Sequence, residues 1–241
     1  MVSMTERRRR CRELQHRYYA DVPSREEVFA TTMASLLRSS DVLLDAGCGA
    51  DLPFTTQYAP KVAQAVGVDL CHPRADAPSR HRAVVGNLEQ LPVASGSIDV
   101  IMSRSVVEHL DHPREVFAEF SRVLRRGGRV VFTTPNKYYY GCLVAMATPQ
   151  SLKDAYFRRV FGPDAYDHFP VRYRANTRRA LRAIARASGL AVTRLSAIPH
   201  YPYYLMFSPT LFRLGIVYDK LITGLGLDSL QSTWLVVMEK L

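Results

Sequence analysis

Apolar residues gather in short, nearly unbroken runs, DVLLDA at 41–46, VAQAVGVDL at 62–70, RAVVGN at 82–87, SIDVIMS at 97–103 and RVVFTT at 129–134. Runs of that length, rich in Val and Ile, predict buried β-strands. Between them the pattern predicts a short helix near 54–60 and, in the Pro-broken HPRADAPSR, only a weak one. An amphipathic helix is expected over 113–125, with Val116, Phe117, Phe120, Val123 and Leu124 on one face, closed by the turn Arg126-Gly127-Gly128. Helices over 5–20 and 25–38 precede the first strand, the second with Ser24 as its N-cap. A helix over 177–188 ends at Gly189, and strands are expected at 190–198 and 232–240.

Strands alternating with helices imply right-handed crossovers and parallel pairing. The expected class is α/β: a doubly wound, mostly parallel, seven-stranded sheet with an antiparallel last strand. One domain spans 1–241, with N-terminal helices in 1–40, a cofactor-binding half in 41–135 and substrate-side insertions at 136–175 and 201–228. The first insertion shows no clean period. In the second, Leu211, Leu214, Tyr218, Leu221, Ile222 and Leu225 recur at helical spacing, with Arg213, Asp219 and Lys220 opposite. Such a stripe must be buried, as a cap over a substrate pocket first, as a homodimer contact or membrane-surface patch second.

Composition narrows the class. The 241 residues are 47% hydrophobic and 22% charged, ordinary for a globular protein, and no run of apolar residues is long enough to span a bilayer. TERRRRCREL lacks the apolar stretch of a secretory signal, so a cytoplasmic location is expected. Cys11, Cys48, Cys71 and Cys142 have neither metal-ligand spacing nor a disulfide pattern. Of the 32 basic residues, which give a net charge of +10, 27 are Arg spread along the chain, clustered only at Arg7, Arg8, Arg9, Arg10 and Arg12. A solvated helix face or frayed tail explains that cluster better than a polyanion site.

The chemistry lies where the strands end. Ligands of a doubly wound sheet sit outside the strands' carboxyl ends, and Asp45, the turn Gly47-Cys48-Gly49, Asp69, Asn87 and Ser103 all fall there. Glycines leave backbone N–H groups uncovered for a ligand. Cys48, inside the turn, is expected to fill space. Asp69, ending the second strand, can accept hydrogen bonds from both hydroxyls of a ribose. A dinucleotide fingerprint would need a third glycine where the turn continues Ala50-Asp51-Leu52, and Asp51 would repel a pyrophosphate. A cofactor with a cationic sulfonium and a free α-amino group suits these acids, with Asp45 placed to meet the amino group.

VLLDAGCGAD, VGVDL, GNLEQLPVASGSIDVIMSRSVVEHL and LRRGGRVVFTTPN, in that order, resemble the class I S-adenosylmethionine-dependent methyltransferases, in the branch close to methyltransferase type 11. The resemblance covers about residues 40 to 136 and implies a Rossmann-like fold and S-adenosylmethionine as cofactor. It implies that Asp45 and the Gly47–Gly49 backbone surround the methionine moiety and that Asp69 holds the ribose. Leu70 would lie beside the adenine and Leu88 would offer its backbone N–H to the ring. Asn87 stands where the family usually has an Asp facing the adenine amino group; an Asn carbonyl accepts the same bond. Asp51 replaces the family's third glycine; as one of the few side chains tolerant of a left-handed backbone it points to a remodelled turn, with weakened cofactor binding or a site that holds the cofactor without transferring methyl as the alternative.

Methyl transfer is an in-line displacement that alignment can accelerate without a metal, but a hydroxyl acceptor must lose a proton. His109, in SVVEHL, is the candidate base, with holding the helix start as its competing role. Glu108 could share the work, bind an amine, or be a surface acid; His168 is a second candidate base. Tyr138, Tyr139, Tyr140, Tyr156, Phe157, Tyr166, Phe169, Tyr173, Tyr201, Tyr203, Tyr204 and Phe207 cluster along the insertions where substrate should enter, most as the insertions' own core and a minority as a pocket for a flat or lipidic acceptor. The leading expectation is O-methylation of a hydrophobic or aromatic small molecule. RNA as acceptor, and a cofactor-holding protein that no longer transfers methyl, are the alternatives; a homodimer and peripheral membrane contact stay open.

Overall fold

A computed structural model describes residues 3–74, 76, 82–162 and 170–241. Helices α1 (Met4–Tyr19) and α2 (Arg25–Leu36) open the chain, followed by β1 (Val42–Ala46), α3 (Pro53–Tyr58), β2 (Gln64–Asp69) and β3 (Arg82–Val85). Next come β4 (Ile98–Arg104), α4 (Pro113–Val123) and β5 (Leu124–Pro135). After α5 (Tyr140–Ala147), α6 (Gln150–Phe161) and α7 (Arg178–Ala187), the chain closes with β6 (Leu190–Ile198), α8 (Pro209–Gly224) and β7 (Thr233–Lys240). The strands form one sheet in the order β3-β2-β1-β4-β5-β7-β6, parallel from β3 to β5, with β7 antiparallel. This is the expected α/β architecture, and its strand order reverses between β1 and β4, which opens a crevice at their carboxyl ends.

The chain falls into two compact units. One comprises Met1–Val28, Pro135–Pro170 and Ala197–Trp234, the other Phe29–Thr134, Val171–Ser196 and Leu235–Leu241. The second holds most of the sheet. Leu43, Leu44 and Ala46 of β1 are fully buried, as a central parallel strand covered on both faces requires. Val116, Phe117, Phe120 and Val123 of α4 are buried as their spacing predicts, and the Phe117 ring meets Phe132 of β5 edge-on at 5.4 Å. The expected turn at 126–128 lies instead inside β5, as an irregularity in its pairing with β4, with Gly127 at φ +74°.

The first unit holds more helix than its sequence suggested, because the aperiodic stretch from 136 contains α5 and α6. Its rings pack on one another, Phe161 stacked on Tyr203 at 4.4 Å and Tyr140 edge-on to Tyr218 at 5.1 Å. On α1, Arg9 and Arg10 pair with Glu6 at 2.8 and 2.9 Å, the solvated face expected of the arginine cluster.

On α8 the expected stripe is corrected. Phe212, Gly215, Ile216, Asp219 and Ile222 face inward, whereas Leu211, Leu214, Leu221 and Leu225 are exposed. Phe212 and Ile216 pack with Cys11 and Met206, and Gly215 passes so close to Pro202 that a Cβ would sit 2.5 Å from it. Asp219 is tolerated inside because the Tyr19 hydroxyl donates to its Oδ2 at 2.7 Å, and burial pushes its carboxyl up to about 7. Tyr166, His168 and Phe169, and most of HPRADAPSR, lie outside the described residues. Among the described residues no helix is long and apolar enough to cross a membrane.

Candidate active site

At the end of β1 the chain must turn sharply, and two glycines make the turn. Gly47 (φ +82°) donates its N–H to Val68 O at 2.8 Å, and a Cβ on it would lie 2.2 Å from a methyl of Val106. Gly49 (φ +66°) has open space where its Cβ would be. Cys48 between them is buried, and a Cβ on Gly67 of β2 would meet its Sγ at 2.8 Å. Burial, with Asp45 and Asp69 nearby, pushes this thiol up to about 12, so Cys48 fills space.

Two carboxylates bracket the turn. Asp45 is 3% exposed; its Oδ2 accepts the Thr55 hydroxyl at 2.6 Å, and burial raises the carboxyl to about 6 against the pull of that bond. Asp69 accepts the Gly49 N–H on Oδ2 at 2.8 Å and the Cys71 N–H on Oδ1 at 2.9 Å. Each oxygen keeps a lone pair for a further donor. Leu70 beside it is 68% exposed, an apolar side chain standing in water.

The remaining expected residues divide. Ser103 is buried and its hydroxyl donates to Ala46 O at 2.9 Å, tying β4 to β1. Asn87 is exposed and its Oδ1 accepts the Glu89 N–H at 2.9 Å, while the Leu88 side chain is buried. Asp51 points outward and pairs with Arg74 Nη1 at 2.9 Å. The left-handed backbone expected at Asp51 belongs to its neighbour, buried Leu52 at φ +49°, followed by Pro53 at the start of α3. The acid that broke the glycine pattern is thus neutralised on the outer side of the turn.

His109 closes a single 3₁₀ turn, Val107–His109, its N–H bonded to Val106 O at 2.9 Å. Since Val106 packs on Gly47, His109 lies one turn from the glycine loop. Glu108 is not a surface acid: it is 6% exposed, Thr134 Oγ1 donates to its Oε2 at 3.4 Å, and Asn176 Nδ2 donates to that threonine at 2.6 Å. Its backbone oxygen accepts from Arg172 and Tyr173 N–H at 2.7 and 3.2 Å.

Two residues join this site unforeseen, Thr55 and Arg104. The Arg104 guanidinium, beyond the expected end of β4, lies 4.0 Å from the Phe54 ring centre and 5.2 Å from that of Phe29, and its charge acts on Asp45. One letter more in the SIDVIMS strand would have exposed it.

A glycine turn at the switch point of a doubly wound sheet, flanked by an inner and an outer carboxylate, is a Rossmann-like arrangement suited to an adenosyl group. Residues 44–132 match the family described as "Methyltransferase domain". A probable S-adenosylmethionine-dependent methyltransferase of Mycolicibacterium smegmatis is 36% identical over 125 residues, 47% of this chain and 45% of that protein. A malonyl-[acyl-carrier protein] O-methyltransferase of Hahella chejuensis is 50% identical over 50 residues, 21% of this chain and 18% of that one. The geranyl diphosphate C-methyltransferase of Streptomyces coelicolor shares the fold, with TM-score 0.56 and 19% identity over 90% of this chain and 78% of that one. Over residues 44–132 the chain is thus similar to S-adenosylmethionine-dependent methyltransferases, and its fold is the Rossmann-like one that solved class I methyltransferases share. The chain spans less than half the length of the two curated relatives above.

Proposed function

We propose that the chain as a whole transfers a methyl group from S-adenosylmethionine to an oxygen of a hydrophobic small molecule. The observation that carries the cofactor assignment is the turn itself: Gly47, where no Cβ fits, Gly49, open to solvent, and Asp69 fastened to Gly49. The residues present fit the group. Asp69 accepts from the ribose hydroxyls, and the exposed Leu70 covers one face of the adenine, with Asn87 and the Leu88 N–H at its edge. Asp45 meets the α-amino group and Arg104 the carboxylate of the methionine moiety. The bound cofactor supplies an electrophilic methyl on a sulfonium. What remains for the chain is alignment, and a base at the acceptor.

His109 is that base, which favours oxygen as the acceptor atom; the relatives above are named for both O- and C-methylation, so the acceptor must be tested directly. The test is transfer of labelled methyl to a panel of phenols, quinones, sugars and hydroxylated lipids. His109→Ala is expected to lower turnover on a hydroxyl acceptor by about two to four orders of magnitude with cofactor affinity nearly unchanged. Undiminished turnover in a folded variant leaves His109 a structural residue, and transfer to carbon alone would overturn the oxygen-acceptor reading.

A further inference from the structure

The first unit contains a groove of about 450 Å³ that is lined by none of the residues assigned above to the cofactor or to the base. That is within the size range of ligand pockets. Its walls are α5, through Tyr140, Val144 and Ala145, and α6, through Leu152, Tyr156 and Val160, with Tyr204 and Phe207 across from them. The lining is almost wholly carbon. The Tyr156 hydroxyl is already committed to Tyr204 O at 2.5 Å. A hydrocarbon chain is the matching content, since a polar occupant would leave its own groups unpaired.

Two observations separate this groove from an unfilled gap. Val144 of α5 and Leu152 of α6 both line the groove and are 62% and 60% exposed, so apolar surface continues out to the mouth. The charged residues that line it, Lys153 and Arg159, are both cations. Among the described residues neither has an ion pair and no carboxylate lines the groove; Asp154, between them in sequence, accepts instead from Gln150 Nε2 at 2.8 Å.

We propose that this groove binds a single-chain amphiphile with an anionic head, a long-chain carboxylate or monoalkyl phosphate taken up from solution, its chain between α5 and α6 and its head at Lys153 and Arg159. Burial of the chain supplies the affinity, and the two cations select the charge. The proposal concerns binding and does not depend on the methyl-transfer reading.

The test is titration with monomeric cis-parinaric acid, whose emission rises in an apolar site, with the corresponding alcohol as the uncharged probe and hexadecyl phosphate as competitor. Saturable binding at one site is expected, displaced by the phosphate. Ala145→Trp, which fills the groove, should weaken both probes at least tenfold. Lys153→Glu with Arg159→Glu should weaken the acid roughly tenfold and leave the alcohol unchanged. Circular dichroism and S-adenosylmethionine titration of the same samples report folding and the cofactor site separately. No saturable binding by folded wild type, binding indifferent to Ala145→Trp, or equal response of acid and alcohol to the charge reversals would overturn the proposal. So would co-sedimentation with anionic phospholipid vesicles in the absence of any monomer binding, which makes the surface a bilayer contact.

Discussion

The backbone N–H of Gly49 donates to the Asp69 carboxylate at 2.8 Å, so the residue proposed to hold the ribose also holds the turn. Removing the carboxylate acts twice, through the lost acceptor and through a loosened loop. Asp69→Ala is expected to weaken S-adenosylmethionine binding by about 1–3 kcal/mol. Asp69→Asn should recover part of this, because its amide oxygen still accepts from Gly49. Calorimetry on the three proteins checks it; unchanged affinity in Asp69→Ala would remove Asp69 from the site.

The two glycines answer differently to the same change. Gly47→Ala combines a left-handed backbone with a Cβ 2.2 Å from Val106, and should cost about 2–4 kcal/mol of stability. Adding Val106→Ala should return part of that, since the nearest clashes are with the two Val106 methyls. Gly49→Ala meets no atom within 4 Å and should cost only the backbone strain, about 1–2 kcal/mol. Urea unfolding of the three variants orders them; equal losses at Gly47 and Gly49 would mean the loop relaxes freely.

Asp45, proposed to meet the α-amino group, should give cofactor binding a pH dependence. Its carboxyl, raised to about 6 by burial, is increasingly protonated as pH falls below that value and cannot then pair with an ammonium group. S-adenosylmethionine affinity should hold from pH 8 to 7 and fall between 6.5 and 5, approaching about tenfold per unit at the low end. Stability of the free protein moves the other way for this group, because a raised carboxyl pKa means the folded state binds the proton more tightly. Asp45→Asn should bind weakly with a flat profile. A wild-type profile with no inflection near 6 would show that Asp45 does not face the amino group.

What was legible in the sequence follows from where each signal originates. The strands announced themselves because β1, β2 and β4 are buried apolar runs, and the site's acids stood at their ends. The glycine turn was legible too, because only residues without Cβ adopt the backbone of Gly47 next to Val106. Helix α5 was not: YGCLVAMA is apolar on every side, and Val144, Leu143 and Met146 are exposed, so no period marks a face. Arg104 escaped because its partners, the rings of Phe29 and Phe54, lie far away in sequence. The left-handed residue was misplaced by one position because propensity favours Asp, whereas packing of the Leu52 side chain against Gly67 decides the matter.

Helix α8 shows the same limit and yields the last prediction. Leucine spacing pointed to Leu214 and Leu221 as the buried side, and placed Asp219 outside. A carboxylate can lie inside only with a partner, and that partner, Tyr19, is 200 residues away, invisible to any local period. The inward face is therefore Phe212, Ile216, Asp219 and Ile222. Ile216→Ala should cost about 2–5 kcal/mol, since it opens a cavity beside Cys11 and Phe212. Leu214→Ala, at a side chain 60% exposed, should stay within about 0.5 kcal/mol of wild type. Denaturant unfolding of the two variants decides between the faces. A large loss at Leu214 that shrinks as protein concentration falls would show that a second copy covers the outer leucines, because stabilisation by a partner copy rises with concentration.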